Sequence, residues 1–145
     1  MVIRNSACAF ILYIIICGIS FAQNNIRFEH ISIEHGLSHS SVQCIIQDKS
    51  GFLWIATEDG LNRYDGNNFK IYRPQKGNPN SISDIFIWEM TEDSNGDIWI
   101  ATNMGGLDKY NVETEKFTHY RNNPGDKNSL SSDKLRSVFI DRSGR

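Results

Sequence analysis

The sequence predicts an all-β fold made of repeated four-stranded antiparallel sheets. A segment that begins at Val42 recurs from Ile87 with the same order of Asp, Gly, Trp, Ala and Thr, offset by 45 positions. No window shows a sustained apolar period of 3.6 residues, so helices are not expected. Four short strands in each copy of about 40–50 residues are typical of one blade of a β-propeller. We therefore predict a β-propeller fragment with two complete blades and the start of a third.

The first 22 residues differ in composition from the rest and predict an export signal. Arg4 precedes an unbroken apolar run, Ala7–Cys17, and Ser20-Phe21-Ala22 supplies the small residues of a cleavage site. The apolar run is short for a bilayer span, and an uncleaved signal anchor is the alternative. We expect residues 1–22 to be a signal peptide and the following chain to be exported to the periplasm.

The segment from 23 to 40 comes before the first complete copy. Within it, Phe28–Ile31 resembles Phe69–Tyr72 and Phe117–Tyr120, which are the expected outer strands of the two copies. A ring of blades can be closed when an N-terminal outer strand completes the last blade. We expect Phe28–Ile31 to have this ring-closing role.

The first complete copy contains four strand patterns separated by turns. Apolar and β-branched residues fill the strands, and Asp, Asn or Gly occupies each turn. The predicted strands are Val42–Gln47, Phe52–Ala56, Leu61–Tyr64 and Phe69–Tyr72. The predicted segments are blade 1 at 41–84, blade 2 at 85–133 and the start of blade 3 at 134–145.

Several repeated positions are expected to pack rather than to carry chemistry. Trp54 and Trp99 are large enough to fill the space between blades. Cys44 is the one cysteine that follows the signal, so it can form no disulfide within that part of the chain, and it is expected to be a small buried hydrophobe. Ala56 and Ala101 suit a crowded place where strands converge.

Acidic and histidine residues predict no catalytic or metal site. Asp93–Asp97 looks like half a calcium loop, but the Gly and Glu that such a loop needs do not follow at the required positions. Asp48 and Asp93 are instead expected to accept backbone N–H bonds within hairpin turns. The histidines after the signal lack metal-ligand spacing, and they are His30, His35, His39 and His119. No cofactor is predicted, and the net charge of −2 indicates no nucleic-acid partner.

One face of the predicted propeller is the expected place for a ligand. In a four-stranded meander, the turn between the second and third strands and the crossover to the next blade emerge on the same face. The crossovers are polar, with Arg, Asn and Asp side chains that suit sugar hydroxyls, although each residue could equally be a solvated loop residue. No single ligand-contacting residue is predicted. The segments of this face are Glu58-Asp59, Asn103-Met104, Arg73–Asp84 and Arg121–Asp133.

The repeat itself resembles a known family. The motif Asp48-x-x-Gly-Phe-Leu-Trp-Ile-Ala-Thr-x-x-Gly-Leu-Asn-Arg-Tyr-Asp-Gly66 is similar to the two-component regulator propeller repeat. The leader from Phe28 to Val42 resembles the approach to the first blade of such sensors. The resemblance covers about residues 27–145.

The resemblance implies a role in signalling. In that family, two seven-bladed propellers and a β-sandwich precede a membrane helix and a cytoplasmic histidine kinase, and many members sense glycan fragments. We expect this chain to be a fragment of such an extracytoplasmic sensor, with an oligosaccharide ligand and with further blades and a membrane-linked kinase as partners. The chain contains no kinase and is expected not to be an enzyme. The alternatives are an exported propeller enzyme or lyase acting on polysaccharide, a free-standing interaction propeller and a gene remnant.

Overall fold

A computed structural model of the chain describes residues 26–141, 143 and 144. The predicted signal peptide at residues 1–22 lies outside the described residues. Contacts divide the chain into two units, Met1–His30 and Ile31–Arg145. In the first unit, residues 26–30 are described, and they form no regular secondary structure. No helix in the described part of the chain is long and apolar enough to cross a membrane.

Residues 26–31 do not form a strand in the structure, and Phe28 is exposed. Pairing of Phe28–Ile31 with a last blade would require strands other than those described here. The ring-closing role of this segment therefore stays a prediction.

The second unit is all-β apart from one short 3₁₀ helix at Ile33–His35. It contains two four-stranded sheets whose neighbouring strands are antiparallel and consecutive in the chain. This arrangement confirms the predicted blades. The first sheet consists of β1 (Val42–Gln47), β2 (Leu53–Thr57), β3 (Gly60–Tyr64) and β4 (Phe69–Tyr72), and the second of β5 (Ile87–Glu92), β6 (Ile98–Thr102), β7 (Leu107–Asn111) and β8 (Lys116–Tyr120).

The hairpin between β2 and β3 is tighter than the sequence pattern suggested. Thr57 and Gly60 form the last pair of the ladder, and the Thr57 hydroxyl donates to the Gly60 carbonyl at 2.9 Å. Both strands therefore extend one residue further toward the turn than predicted. Gly60 has a φ of +105°, and a Cβ there would lie 2.5 Å from the Tyr72 carbonyl oxygen, so only glycine fits.

The core lies between the two sheets and is centred on Trp54. The Trp54 side chain is fully buried, stacked on Tyr72 with ring centroids 5.8 Å apart and edge-on to Tyr110 of the second sheet at 5.0 Å. The Tyr72 and Tyr110 hydroxyls lie 3.0 Å apart, which satisfies two polar groups inside the aromatic cluster. The predicted packing role of Trp54 between blades is confirmed.

Trp99 occupies the matching position in the second sheet but is only half-buried. It stacks on Tyr120 at 5.4 Å and borders a cavity of about 360 Å³ shared with Val138 and Phe139. The side of the second sheet that carries Trp99 is therefore incompletely covered by the residues that follow it.

The Asp that begins each hairpin turn accepts backbone N–H bonds, as predicted, and also accepts a hydrogen bond from a tryptophan side chain. Asp48 Oδ1 accepts the backbone N–H groups of Ser50 and Phe52 at 2.9 and 3.0 Å. Its other carboxylate oxygen, Oδ2, accepts the indole N–H of Trp54 at 2.7 Å. The same carboxylate therefore shapes the turn and holds the tryptophan of the core.

Asp93 repeats this arrangement in the second sheet. Its carboxylate accepts the backbone N–H groups of Asn95 and Asp97 and, at 3.0 Å, the indole N–H of Trp99. Burial opposes ionisation of Asp93, but these N–H donors and the Lys109 ammonium outweigh it and lower the pKa of the carboxyl.

The start of the third copy forms the same kind of turn. Gly144 donates its backbone N–H to the Asp141 carbonyl at 3.0 Å, and Ser143 donates its own to the Asp141 carboxylate at 2.8 Å. Residues 134–141 form no strand. The turn therefore forms from local hydrogen bonds, without a paired hairpin.

Asp48→Ala is expected to destabilise the chain by about 2–4 kcal/mol, because a buried indole N–H and two backbone amides lose their acceptor. Urea denaturation followed by tryptophan fluorescence measures this. Asp65→Ala is the matched control, since Asp65 caps the exposed turn between β3 and β4 by accepting the Asn67 and Asn68 amides. Equal losses in the two variants would contradict the anchoring role of Asp48.

Candidate functional site

The turns and crossovers predicted to share one face are joined by hydrogen bonds. In the first sheet, the β2–β3 turn is bound to the following crossover, since the Arg73 guanidinium holds the Asp59 carboxylate through Nε at 3.1 Å and Nη2 at 2.9 Å. In the second sheet, the backbone N–H of Met104 donates to Asp84 Oδ2 at 2.7 Å. Glu58-Asp59, Asn103-Met104 and the crossover Arg73–Asp84 thus belong to one surface.

The backbone continues this pattern into the second crossover. Gly60 N–H donates to the Ile85 carbonyl at 2.7 Å, and Gly106 N–H donates to the Asp133 carbonyl at 3.0 Å. The crossover Arg121–Asp133 therefore meets the second sheet as Arg73–Asp84 meets the first. The Arg73 hydrogen bond lowers the pKa of Asp59, so this exposed pair is ionised at neutral pH.

A β-bulge lies at the start of the first strand of each sheet, β1 and β5. We call these two strands the inner strands. In the first sheet, Val42 pairs with Thr57 and Cys44 with Ala56, so Gln43 is an extra residue. In the second sheet, Ile87 pairs with Thr102 and Glu89 with Ala101, so Trp88 is the extra residue. Bulges bend a strand locally and redirect a side chain, and they are frequent next to functional sites.

Each bulge residue is bonded to a residue of the neighbouring β2–β3 or β6–β7 turn. The Gln43 amide nitrogen donates to Glu58 Oε1 at 3.3 Å, and the Trp88 indole N–H donates to Asn103 Oδ1 at 3.3 Å. The two sheets therefore present a pair of side chains in the same place but with different chemistry.

The third copy supplies one more residue at this position. Arg136 lies 48 positions after Trp88, the same offset that relates Asp141 to Asp93. Its guanidinium carbon lies 4.0 Å from the centroid of the Trp88 ring. The Phe86 ring also packs against Trp88, with the two ring centroids 4.6 Å apart. We call Gln43, Glu58, Trp88, Asn103 and Arg136 the bulge face.

Sequence reasoning did not single out Trp88. The signal was present, because Trp88 is the one of the three tryptophans that falls outside the repeated position shared by Trp54 and Trp99. A position that is not fully buried can differ between copies of a repeat, because no packing role restricts its residue type.

His35 and His39 take local structural roles. His35 Nδ1 accepts the backbone N–H of Ser32 at the 3₁₀ helix, and His39 Nδ1 accepts the backbone N–H of Ser41. Within residues 26–141, 143 and 144, no group of three His, Cys, Asp or Glu side chains could hold a metal ion.

His119 differs from the others because it contacts a buried carboxylate. Its Nδ1 lies 2.6 Å from Asp108 Oδ1, and its Nε2 lies 3.0 Å from the Pro79 carbonyl in the crossover. Asp108 is fully buried, and burial raises its pKa although His119 and the Ser83 backbone N–H oppose this. The hydrogen bond between His119 and the Pro79 carbonyl links β8 to the crossover.

Cys44 lies beside the core at the bulge of β1. Its side chain is half-buried and packs against the cluster around Trp54. Burial raises the pKa of its thiol, which disfavours the reactive thiolate. These observations agree with the predicted role of a small hydrophobe.

Comparison with known proteins identifies the repeat. Residues 36–59 and 80–104 match the two-component regulator propeller family. The first match begins in the segment before β1 and the second at the end of the crossover Arg73–Asp84. Each continues through the inner strand with its bulge, the Asp turn and the Trp strand, so the matched positions include the carboxylate–indole contact described above.

A solved structure has the same arrangement of blades. The extracellular domain of a hybrid two-component system from B. thetaiotaomicron superposes with a TM-score of 0.75 and 39% identity, covering 80% of this chain and 16% of that chain. Histidine kinase P4 of Formosa agariphila is 52% identical over 63 residues, which is 43% of this chain and 5% of that kinase. The chain therefore spans a small part of the length of both relatives.

Asp108→Asn is expected to remove one contribution to stability that decreases as pH rises. Because burial raises the folded pKa of Asp108 above its unfolded value of about 3.9, the folded chain holds that proton more tightly, and the free energy of unfolding falls as pH rises through this interval. The asparagine amide does not titrate, so the variant does not lose this part of its free energy of unfolding. Asn62 already fills the matching position of β3, where its Oδ1 accepts the Ser38 N–H at 2.9 Å.

Urea denaturation at several pH values between about 4 and 7 measures this difference. Relative to the natural chain, the Asp108→Asn chain should gain stability as pH rises. Asn62→Asp is the reciprocal control, because it buries a carboxylate opposite Ile71 instead of a histidine and should destabilise the chain at neutral pH. Parallel pH profiles of the natural and Asp108→Asn chains would contradict the assignment.

Proposed function

We propose that this chain is part of the extracytoplasmic sensing propeller of a two-component system and that its bulge face contacts an oligosaccharide. The observation that carries the proposal is the contrast between the repeated core and the bulge position. The carboxylate–indole contact is kept in both sheets, whereas the bulge residue changes from Gln43 to Trp88, and the third copy has Arg136 at the same position of the repeat. Propellers can build one asymmetric ligand site by varying the same position from blade to blade.

The chemistry of the bulge face suits a sugar. An indole offers a flat apolar surface on which the C–H face of a pyranose ring can pack. Trp88 is half-buried, and its N–H is held by Asn103, so the orientation of the ring is fixed before a ligand binds. The amide of Gln43 and the carboxylate of Glu58 lie at the matching place in the first sheet and can exchange hydrogen bonds with hydroxyl groups.

The proposed location is the periplasm. The export signal predicted at residues 1–22 supports it, and so does the likeness to the extracellular domain of a hybrid two-component system. The similarity to a histidine kinase supports a membrane-linked kinase as the partner that receives the signal. Further propeller blades are proposed as the other partners, because the side of the second sheet that carries Trp99 borders a cavity.

Trp88→Gln tests the proposal with little change to the fold, because Gln43 occupies the same bulge in the first sheet. Isothermal titration calorimetry with xylo-, galacto- and galacturono-oligosaccharides measures binding to the natural chain and the variant. We expect at least one series to bind the natural chain and the variant to lose about tenfold or more in affinity.

Ile45→Gln is the matched control. It introduces the same side chain at an exposed position of the same kind of strand, two residues after the bulge of β1. Its affinity should equal that of the natural chain. Binding that survives Trp88→Gln unchanged would remove the bulge face from the proposed function, and the absence of binding by every series would remove the oligosaccharide.

A further inference from the structure

Arg136 is a positively charged side chain held in a fixed place beside Trp88. The backbone is bonded to the second sheet on both sides of it, since Leu135 N–H donates to the Thr102 carbonyl at 3.1 Å and Val138 N–H donates to Glu89 Oε2 at 3.0 Å. Its guanidinium stacks on the indole at 4.0 Å. A cation–π contact of this kind restrains the side chain without using its N–H donors.

Four cations of the two sheets and the first crossover are paired with carboxylates. Arg63 and Lys70 both reach Glu115, at 3.4 and 2.7 Å, and Lys109 reaches Asp97 at 2.8 Å. Arg73 is paired with Asp59. In the described part of the chain, by contrast, no carboxylate oxygen lies within 4.0 Å of the Arg136 guanidinium nitrogens.

The acidic residues around the bulge face have other partners. Asp84 uses both oxygens on backbone amides, with Phe86 N–H at 3.2 Å and Met104 N–H at 2.7 Å. Glu89 accepts the Val138 amide, and Glu58 accepts the Gln43 amide. None of these carboxylates is bonded to Arg136, so its donors remain available to a ligand.

From these contacts we infer that the bulge face selects an anionic sugar, with the ring against Trp88 and its charged group on Arg136. This inference rests on the proposed function and specifies the class of its ligand. The planar guanidinium presents parallel N–H donors that match the two oxygens of a carboxylate or of a sulfate ester. The indole contact preorganises that group, which lowers the entropic cost of binding. Arg136 is the specificity-determining residue, and Trp88 is the platform shared by neutral and anionic sugars.

Arg136→Gln tests the inference by giving the third copy the neutral residue that stands at the bulge of β1. The probes are oligogalacturonate, a sulfated galactan oligosaccharide and a neutral galacto-oligosaccharide of the same length, each titrated into the natural chain and the variant by calorimetry. We expect the natural chain to prefer one of the two anionic probes over the neutral one by about tenfold or more. Which of them binds distinguishes a carboxylate from a sulfate as the recognised group.

The variant should lose that preference and keep its affinity for the neutral probe. The affinity of the natural chain for the anionic probe should also fall with added salt more steeply than that of the variant, since one charge contact is removed. Lys116→Gln is the matched control, because it removes an exposed cation of β8 that lies outside the bulge face and outside the predicted ligand segments, and it should change neither affinity.

Two outcomes separate the inference from the function on which it rests. Equal binding of neutral and anionic probes, unchanged by Arg136→Gln but weakened by Trp88→Gln, would overturn the selection of anionic sugars and leave the proposed function standing. Failure of all three probes and of the xylo-oligosaccharides to bind would overturn both.

Discussion

The hydrogen bond between an aspartate carboxylate and a tryptophan indole is the interaction on which the rest of this structure depends. Asp48 joins the turn after the inner strand to the Trp54 side chain, and Trp54 fills the space between the two sheets. The contact links local geometry to long-range packing, because the same carboxylate that shapes a five-residue turn also orients the largest side chain of the core. Each blade can therefore pack on its neighbour only when its own turn is formed.

Because the buried core positions hold the two sheets together, other positions can differ between the sheets. Core positions such as Ala56 and Ala101 are fully buried and identical in the two sheets. The bulge residues occupy the same position on each inner strand, and they take no part in the carboxylate–indole contact. A change from Gln43 to Trp88 alters the chemistry of one surface at little cost to the fold, which is how a repeated architecture can acquire a specific site.

The sequence carries most of the fold because each blade is specified by local signals. The limits of β1 and β4, the turn glycines and the packing role of Trp54 follow from residue type and from the repeat. The bulges could not be predicted, because Gln43 and Trp88 become extra residues only through the register between two strands. The contact of His119 with Asp108 was equally inaccessible, since it depends on two side chains and a crossover meeting in three dimensions.

The candidate site could be predicted only as a surface. The meander topology places the turns and crossovers on one face, but the sequence does not indicate which of their many polar residues remain available once the chain has folded. Asp59, Arg73 and Asp84 lie in the predicted segments, and the structure uses all three in contacts within the protein. Arg136 stacks on Trp88, and within the described residues no carboxylate pairs with its guanidinium, so its N–H donors are not used in an ion pair.

The three tryptophans provide the most direct test of the central claim, which separates a fixed core from a variable binding face. The chain gives three indole N–H signals in a ¹H–¹⁵N correlation spectrum, and substitution of each tryptophan assigns them. Titration with an oligosaccharide that binds is predicted to shift the Trp88 signal and to leave those of Trp54 and Trp99 in place. A shift of the Trp54 or Trp99 signal with Trp88 unmoved would contradict the account.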